Sequence, residues 1–169
     1  MSAPFPIIVA GIGNPLLRDD TAGLHALAAV EKRAAGMDGV VFKQLFCGGF
    51  DLLGELVSFS RAFIIDCLCD GRTKPGEYRR FSISSDDYRA GRERPLAASH
   101  GIDLATVLLA GARCGYPMPD PVVIYGIGAS DVCVFDEQPS PAVSGAIERV
   151  ADRIFSDLSH LAIIRDGRK

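Results

Sequence analysis

Pro6-Ile7-Ile8-Val9-Ala10-Gly11-Ile12 is an unbroken apolar run that ends in a glycine-rich turn. A short run with no polar alternation marks a strand buried on both faces, as in a parallel sheet. The turn that follows is Gly13-Asn14-Pro15-Leu16-Leu17-Arg18-Asp19-Asp20. Residues 20–35 then carry Ala22, Leu24, Leu27, Ala28 and Val30 at helical spacing. The chain thus begins as strand, turn and helix, and the pattern continues. Residues 39–46 predict a second strand, 50–58 a short helix and 62–68 a third buried strand. Asp70-Gly71 and Pro75-Gly76 punctuate the connection to a fourth strand at 77–83. That connection is too short for a helical crossover, so the fourth strand is expected to run antiparallel to the third. Residues 84–99 read as a polar loop and 100–114 as a helix with Leu104, Val107, Leu108 and Ala112 on one face. A fifth strand at 121–127, a loop at 128–139 and a helix at 140–158 complete the chain, the last opened by Ser140-Pro141 as N-cap and first helical residue. The expected fold is a three-layer α/β sandwich: a five-stranded, mostly parallel sheet with one antiparallel strand and helices on both faces. It is expected to occupy residues 1–169 as a single domain.

Composition narrows the function classes. Eighteen Lys and Arg against 21 Asp and Glu leave a formal charge of −3, which argues against a general nucleic-acid binder. Apolar residues make up 48% and charged residues 23%, as in a folded protein. No apolar run is long enough to span a bilayer, so no membrane insertion is expected. Met1-Ser-Ala-Pro-Phe-Pro6 has neither a basic nor a long apolar region, which predicts a cytoplasmic location. The five cysteines form no CxxC pair. They read as small, partly buried, reduced thiols, with a soft-metal pair at Cys67 and Cys69 as the lesser alternative.

In an open α/β sheet the site lies beyond the carboxyl ends of the parallel strands. Gly11-x-Gly13 after the first strand suggests a dinucleotide fold, but position 16 is Leu rather than the third glycine. Asp19 and Asp20 also stand at the helix start, where a pyrophosphate would need bare amides. They suit a cation; the structural alternative makes Asp19 an N-cap and Asp20 a partner of the helix dipole. Cys47-Gly48-Gly49 after strand two is either a turn or a close approach to ligand. Asp66, following Ala62-Phe63-Ile64-Ile65, is costly in a buried strand unless it is paired, hydrogen-bonded or bound to a cation. His100 opens a helix whose N-terminus falls on the same edge, where the neutral, metal-ligating imidazole is favoured. His25 and His160 are read as surface or capping residues. Asp20, Asp66 and His100 therefore converge on one rim, as a thiolate-free set suited to zinc or nickel.

Taken in order, these residues resemble the [NiFe]-hydrogenase maturation endopeptidases. Ile8 to Gly23 resembles the family's glycine-x-glycine-asparagine turn and acidic pair. Cys47-Gly-Gly-Phe-Asp-Leu-Leu-Gly54 resembles its glycine loop and short helix, and Ile64-Ile-Asp66 its strand ending in aspartate. Pro75-Gly76, Ser99-His-Gly-Ile-Asp-Leu-Ala105, Tyr125-Gly-Ile127 and Ser140-Pro-Ala-Val143 continue the series. Thr21 and Ala129 depart from the family's usual glycine and proline, and Cys67 and Cys69 decorate the Asp66 loop.

The resemblance implies a five-stranded α/β sandwich. It also implies an enzyme that removes the C-terminal extension of a hydrogenase large-subunit precursor once nickel is inserted. The metal-contacting positions then fall on Asp20, Asp66 and His100. The nickel belongs to the precursor, and no organic cofactor is implied. Asp20 or Asp66 is the carboxylate expected to activate water. Two alternatives remain: a non-proteolytic checkpoint that grips precursor or metal, and a nucleotide-binding enzyme suggested by Gly11-x-Gly13.

Overall fold

A computed structural model describes residues 6–46, 48–89 and 104–166. The predicted strands form a single sheet: β1 (Ile7–Ile12), β2 (Val40–Leu45), β3 (Arg61–Leu68), β4 (Tyr78–Ile83) and β5 (Val122–Gly128), in the order β2-β1-β3-β5-β4. Every residue of β1 and β5 is buried, as the continuous apolar runs require. β1 pairs in parallel with β2 and β3, and β3 in parallel with β5. β4 runs against the other strands as expected, but its partner is β5, which lies between it and β3. The short 69–77 connection therefore passes beyond the sheet position that β5 fills later in the chain.

Helices cover both faces. α1 (Ala22–Arg33) and α5 (Pro141–Asp166) pack on the side of Ile7, Val9, Phe63, Ile65, Val123 and Tyr125. α2 (Asp51–Leu56) and α4 (Leu104–Arg113) pack on the side of Ile8, Ala10, Ile64, Val122 and Ile124. Alternate residues of one strand thus feed two cores, as a period of two dictates. The sheet is the predicted three-layer α/β sandwich with one antiparallel strand.

Glycine sets the spacing between α1 and the sheet. A Cβ on Gly23 would stand 2.2 Å from the carbonyl oxygen of Ile12 and 2.6 Å from that of Ile65. One on Gly11 would stand 2.4 Å from the carbonyl oxygen of Gly23. Backbone meets backbone here, so neither position admits a side chain without moving the helix.

Three local expectations change. The polar 84–99 segment begins with a short helix, α3 (Ser85–Arg89). The Ser84 amide and hydroxyl both donate to the Asp87 carboxylate, at 3.0 and 2.9 Å, so a local side-chain cap organises the turn. The helix after the first strand opens with a 3-10 turn at Arg18–Thr21, and no side chain caps that turn or α1. Asp19 is therefore not an N-cap. Pro141 does begin α5, which continues to Asp166, but the Ser140 hydroxyl has no hydrogen-bond partner among the described residues. No helix among the described residues is long and apolar enough to cross a membrane.

Candidate functional site

The chain leaves β1 toward β2 on one side and later returns to β3 on the other. Loops after β1 and β3 therefore diverge, and the crevice between them is where such a sheet accepts ligands. The β1–β3 pairing ends at Gly11 with Ile65, so Asp66 is the next residue along the crevice. β3 continues two residues beyond Asp66, held by β5. Across the crevice the 3-10 turn supplies Asp19, Asp20 and Thr21, all buried.

The two adjacent aspartates do different work. Asp19 faces the 129–140 loop. One of its carboxylate oxygens accepts from the Ser130 amide (3.0 Å), the Ser130 hydroxyl (3.1 Å) and the Asp131 amide (3.1 Å). The other accepts from the Ser140 amide at 2.8 Å. Burial pushes the Asp19 pKa up, but the donors from Ser130, Ser140 and Asp131 outweigh it and hold the carboxyl below its ordinary value. Arg18 adds ion pairs to Asp131 and Asp136, and Leu17 bridges to Phe135. The loop is thereby latched to the turn after β1.

Asp20 faces the sheet. Its Oδ2 accepts from the Asn14 amide at 2.9 Å, and its Oδ1 lies 3.0 Å from Cys67 Sγ. Asp66 Oδ1 accepts from the Cys67 amide at 2.8 Å. One ligand atom each from Asp20, Asp66 and Cys67 lie within 4.8 Å of one another, and all three residues are buried. A tetrahedral divalent ion at ordinary metal–oxygen and metal–sulfur lengths separates its ligand atoms by about 3.4–3.6 Å, so the trio has the right scale.

The sequence points to a thiolate-free set, but the structure brings Cys67 into the cluster. The Cys69 contact, burial and the two carboxylates push its thiol pKa far up. Cys69, exposed beside it, is drawn down to about 7 by the Cys67 hydrogen bond, against burial and the carboxylates. The expectation of partly buried thiols holds for Cys67 alone among the described cysteines; Cys69, Cys114 and Cys133 are exposed.

Asp20 also lines a cleft of about 360 Å³ with Gly13, Asn14, Pro15, Leu17, Phe46 and Val132. The carboxylate lies among mainly apolar walls, an arrangement able to seat a peptide beside a charged group. The predicted Asp20 and Asp66 are thus brought together. His100 and Cys47 lie outside the described residues. His25 contacts the Glu137 carbonyl at 3.1 Å and His160 the Ser156 carbonyl at 2.7 Å, as peripheral residues. The Gly11-x-Gly13 signal has a packing explanation, since a Cβ on Gly13 would stand 2.0 Å from the Asp20 carbonyl oxygen.

No protein-family model matches the chain. The hydrogenase 2 maturation protease of Escherichia coli K12 is 31% identical to it over 70 residues, which span 41% of this chain and 43% of that protein. The similarity in structure is wider. The hydrogenase maturating endopeptidase HybD from E. coli superposes with a TM-score of 0.72 at 24% identity, covering 92% of this chain and 93% of that one. The [NiFe] hydrogenase maturation protease HycI from Thermococcus kodakarensis does so with a TM-score of 0.68 at 22% identity, covering 94% and 95%. Over nine-tenths of its length the chain therefore has the fold of the hydrogenase maturation endopeptidases.

Proposed function

We propose that this chain is a metal-dependent endopeptidase that removes the C-terminal extension of a [NiFe]-hydrogenase large-subunit precursor after nickel insertion. The observation that carries the reading is the pair of buried carboxylates, Asp20 and Asp66, meeting at the β1/β3 crevice beside a peptide-sized cleft. The likeness to maturation proteases supports a hydrogenase precursor as the substrate. The donor set also fits: two carboxylates with a sulfur donor beside them suit a borderline divalent cation such as nickel.

In this reading the nickel is carried by the precursor, and Asp20, Asp66 and His100 grip it. Nickel next to the scissile carbonyl polarises it. Asp20 or Asp66 takes the proton of the attacking water, and the same acid then protonates the leaving amine. The apolar walls around Asp20 hold the flanking peptide and thin the water around the carboxylate. In this reading the protein acts in the cytoplasm.

The test is to incubate the purified protein with nickel-loaded precursor and with nickel-free precursor, and to follow the mass of each. Loss of the C-terminal extension from the loaded form alone is the expected result. Full processing by Asp20→Ala or His100→Ala would overturn the assignment of the three residues. Nickel-dependent capture with no mass change would replace cleavage by a checkpoint role.

A further inference from the structure

Cys67 directly follows Asp66 in sequence, yet its thiol belongs to the Asp20 side of the crevice. Its Sγ lies 3.0 Å from Asp20 Oδ1, and its amide fixes Asp66 Oδ1 at 2.8 Å. The residue is fully buried in β3. One side chain thus touches the first carboxylate while its backbone orients the second. Three donors of two chemical kinds meet within 4.8 Å, drawn from two separate segments of chain.

The geometry points to Cys67 as a thiolate ligand of the metal that Asp20 and Asp66 hold, which makes this a thiophilic site. The inference rests on the reading of those two carboxylates as metal-holding. On binding, the Cys67 S–H bond breaks, a sulfur–metal bond forms and the proton leaves to solvent. No electron is transferred. A carboxylate–thiolate set favours nickel, cobalt or zinc, whereas magnesium and calcium prefer oxygen ligands alone. The thiol therefore gives the site a means of choosing among divalent ions that two carboxylates lack. Cys69, exposed two residues on, lies outside the three-donor group and serves as the control.

The experiment uses the full chain alone, reduced and free of oxygen, titrated with cobalt and with nickel. The expected result is a near-ultraviolet sulfur-to-metal charge-transfer band that saturates at one ion per chain. Cys67→Ser should abolish the band and weaken binding by more than the roughly 10- to 100-fold typical of outer-shell substitutions. Cys69→Ser and Cys47→Ser should keep it, and magnesium or calcium in excess should not displace the bound ion. Circular dichroism and thermal unfolding establish that Cys67→Ser is folded; should it not fold, Cys67→Ala is read in its place. A band that survives in the folded Cys67 variant, or one lost in the Cys69 or Cys47 variant, overturns the inference. So does the absence of any band. Precursor processing is scored separately. Cleavage without a Cys67-dependent band refutes the ligand and spares the protease reading. A Cys67-dependent band without cleavage does the reverse.

Discussion

Replacing Asp19 by alanine should unlatch the loop that walls the cleft. The carboxylate is fully buried and accepts four hydrogen bonds from residues 130–140. Hydrogen bonds to a charged acceptor contribute about 1.5–3 kcal/mol each, which sets a generous upper bound. The actual loss is smaller, because Ser130 is exposed and its donors regain water once the loop lifts. Asp131 and Ser140 are half-buried and regain less. The expected destabilisation is about 2–4 kcal/mol, with Asp19→Asn, which keeps one carbonyl oxygen, losing roughly half as much.

Urea unfolding of the wild type and both variants at neutral pH measures this directly. Hydrogen exchange supplies the local readout: the Ser130, Asp131 and Ser140 amides should lose protection first. The pH dependence has a defined sign. The folded pKa of Asp19 is lowered, so its contribution is fully present above the unfolded value near 3.9 and is lost as pH falls through the folded value. The gap between wild type and Asp19→Ala should therefore be constant from about pH 5 to 8 and shrink below about pH 4. A loss under about 1 kcal/mol at neutral pH, or unchanged exchange at those three amides, refutes the latch.

Other substitutions test the remaining structure. Gly23→Ala drives a methyl into the Ile12 and Ile65 carbonyls and should destabilise by about 3 kcal/mol or more, measured by the same urea titration. On the same face of the sheet Tyr125 donates to Asp157 at 2.5 Å and Arg80 reaches the same carboxylate at 3.1 Å, tying α5 to β4 and β5. Asp157→Ala should lower stability by about 1.5–3 kcal/mol. Burial raises the Asp157 pKa, but Tyr125, Arg80 and Arg153 more than reverse it, so this contribution too is lost only as pH falls below the ordinary carboxylate range; thermal unfolding at pH 7 and in acid checks it.

Local patterns in the sequence carried most of the architecture. The apolar runs located β1, β3 and β5, and helical spacing located α1, α4 and α5, because each pattern follows from burial within its own element. The insertion of β5 between β3 and β4 was not legible. It depends on pairing between segments about 40 to 60 residues apart, and no local residue choice records it. Within the site, Asp20 and Asp66 were readable as carboxylates that buried positions tolerate only for a reason. The split between Asp19 and Asp20 was not, since nothing in the sequence says that residues 130–140 fold back over the first. Cys67 was hidden by strand periodicity. Alternation turns its side chain away from that of Asp66, and its Sγ meets Asp20 Oδ1 instead, at 3.0 Å.

That arrangement separates stability from function at neighbouring positions. Asp20 and Asp66 present oxygens within 4.8 Å of one another. With both ionised, two charges at that distance would repel by roughly 1–3 kcal/mol at effective dielectric constants between those of water and a protein surface. Asp20→Asn removes the repulsion, keeps an oxygen for the Asn14 amide and gives up the charged acceptor beside Cys67 Sγ, so the metal-free variant should stay within about 1 kcal/mol of the wild type. It should also lose charge-assisted metal binding and precursor cleavage. Asp19→Asn should do the opposite, weakening the fold while leaving both metal-facing carboxylates in place. Urea unfolding and cobalt binding, measured on the two variants side by side, test this exchange. If Asp20→Asn destabilised the metal-free chain by more than about 1 kcal/mol, the carboxylate would be a structural acceptor like its neighbour, and the crevice would lose its best reason for being a metal site.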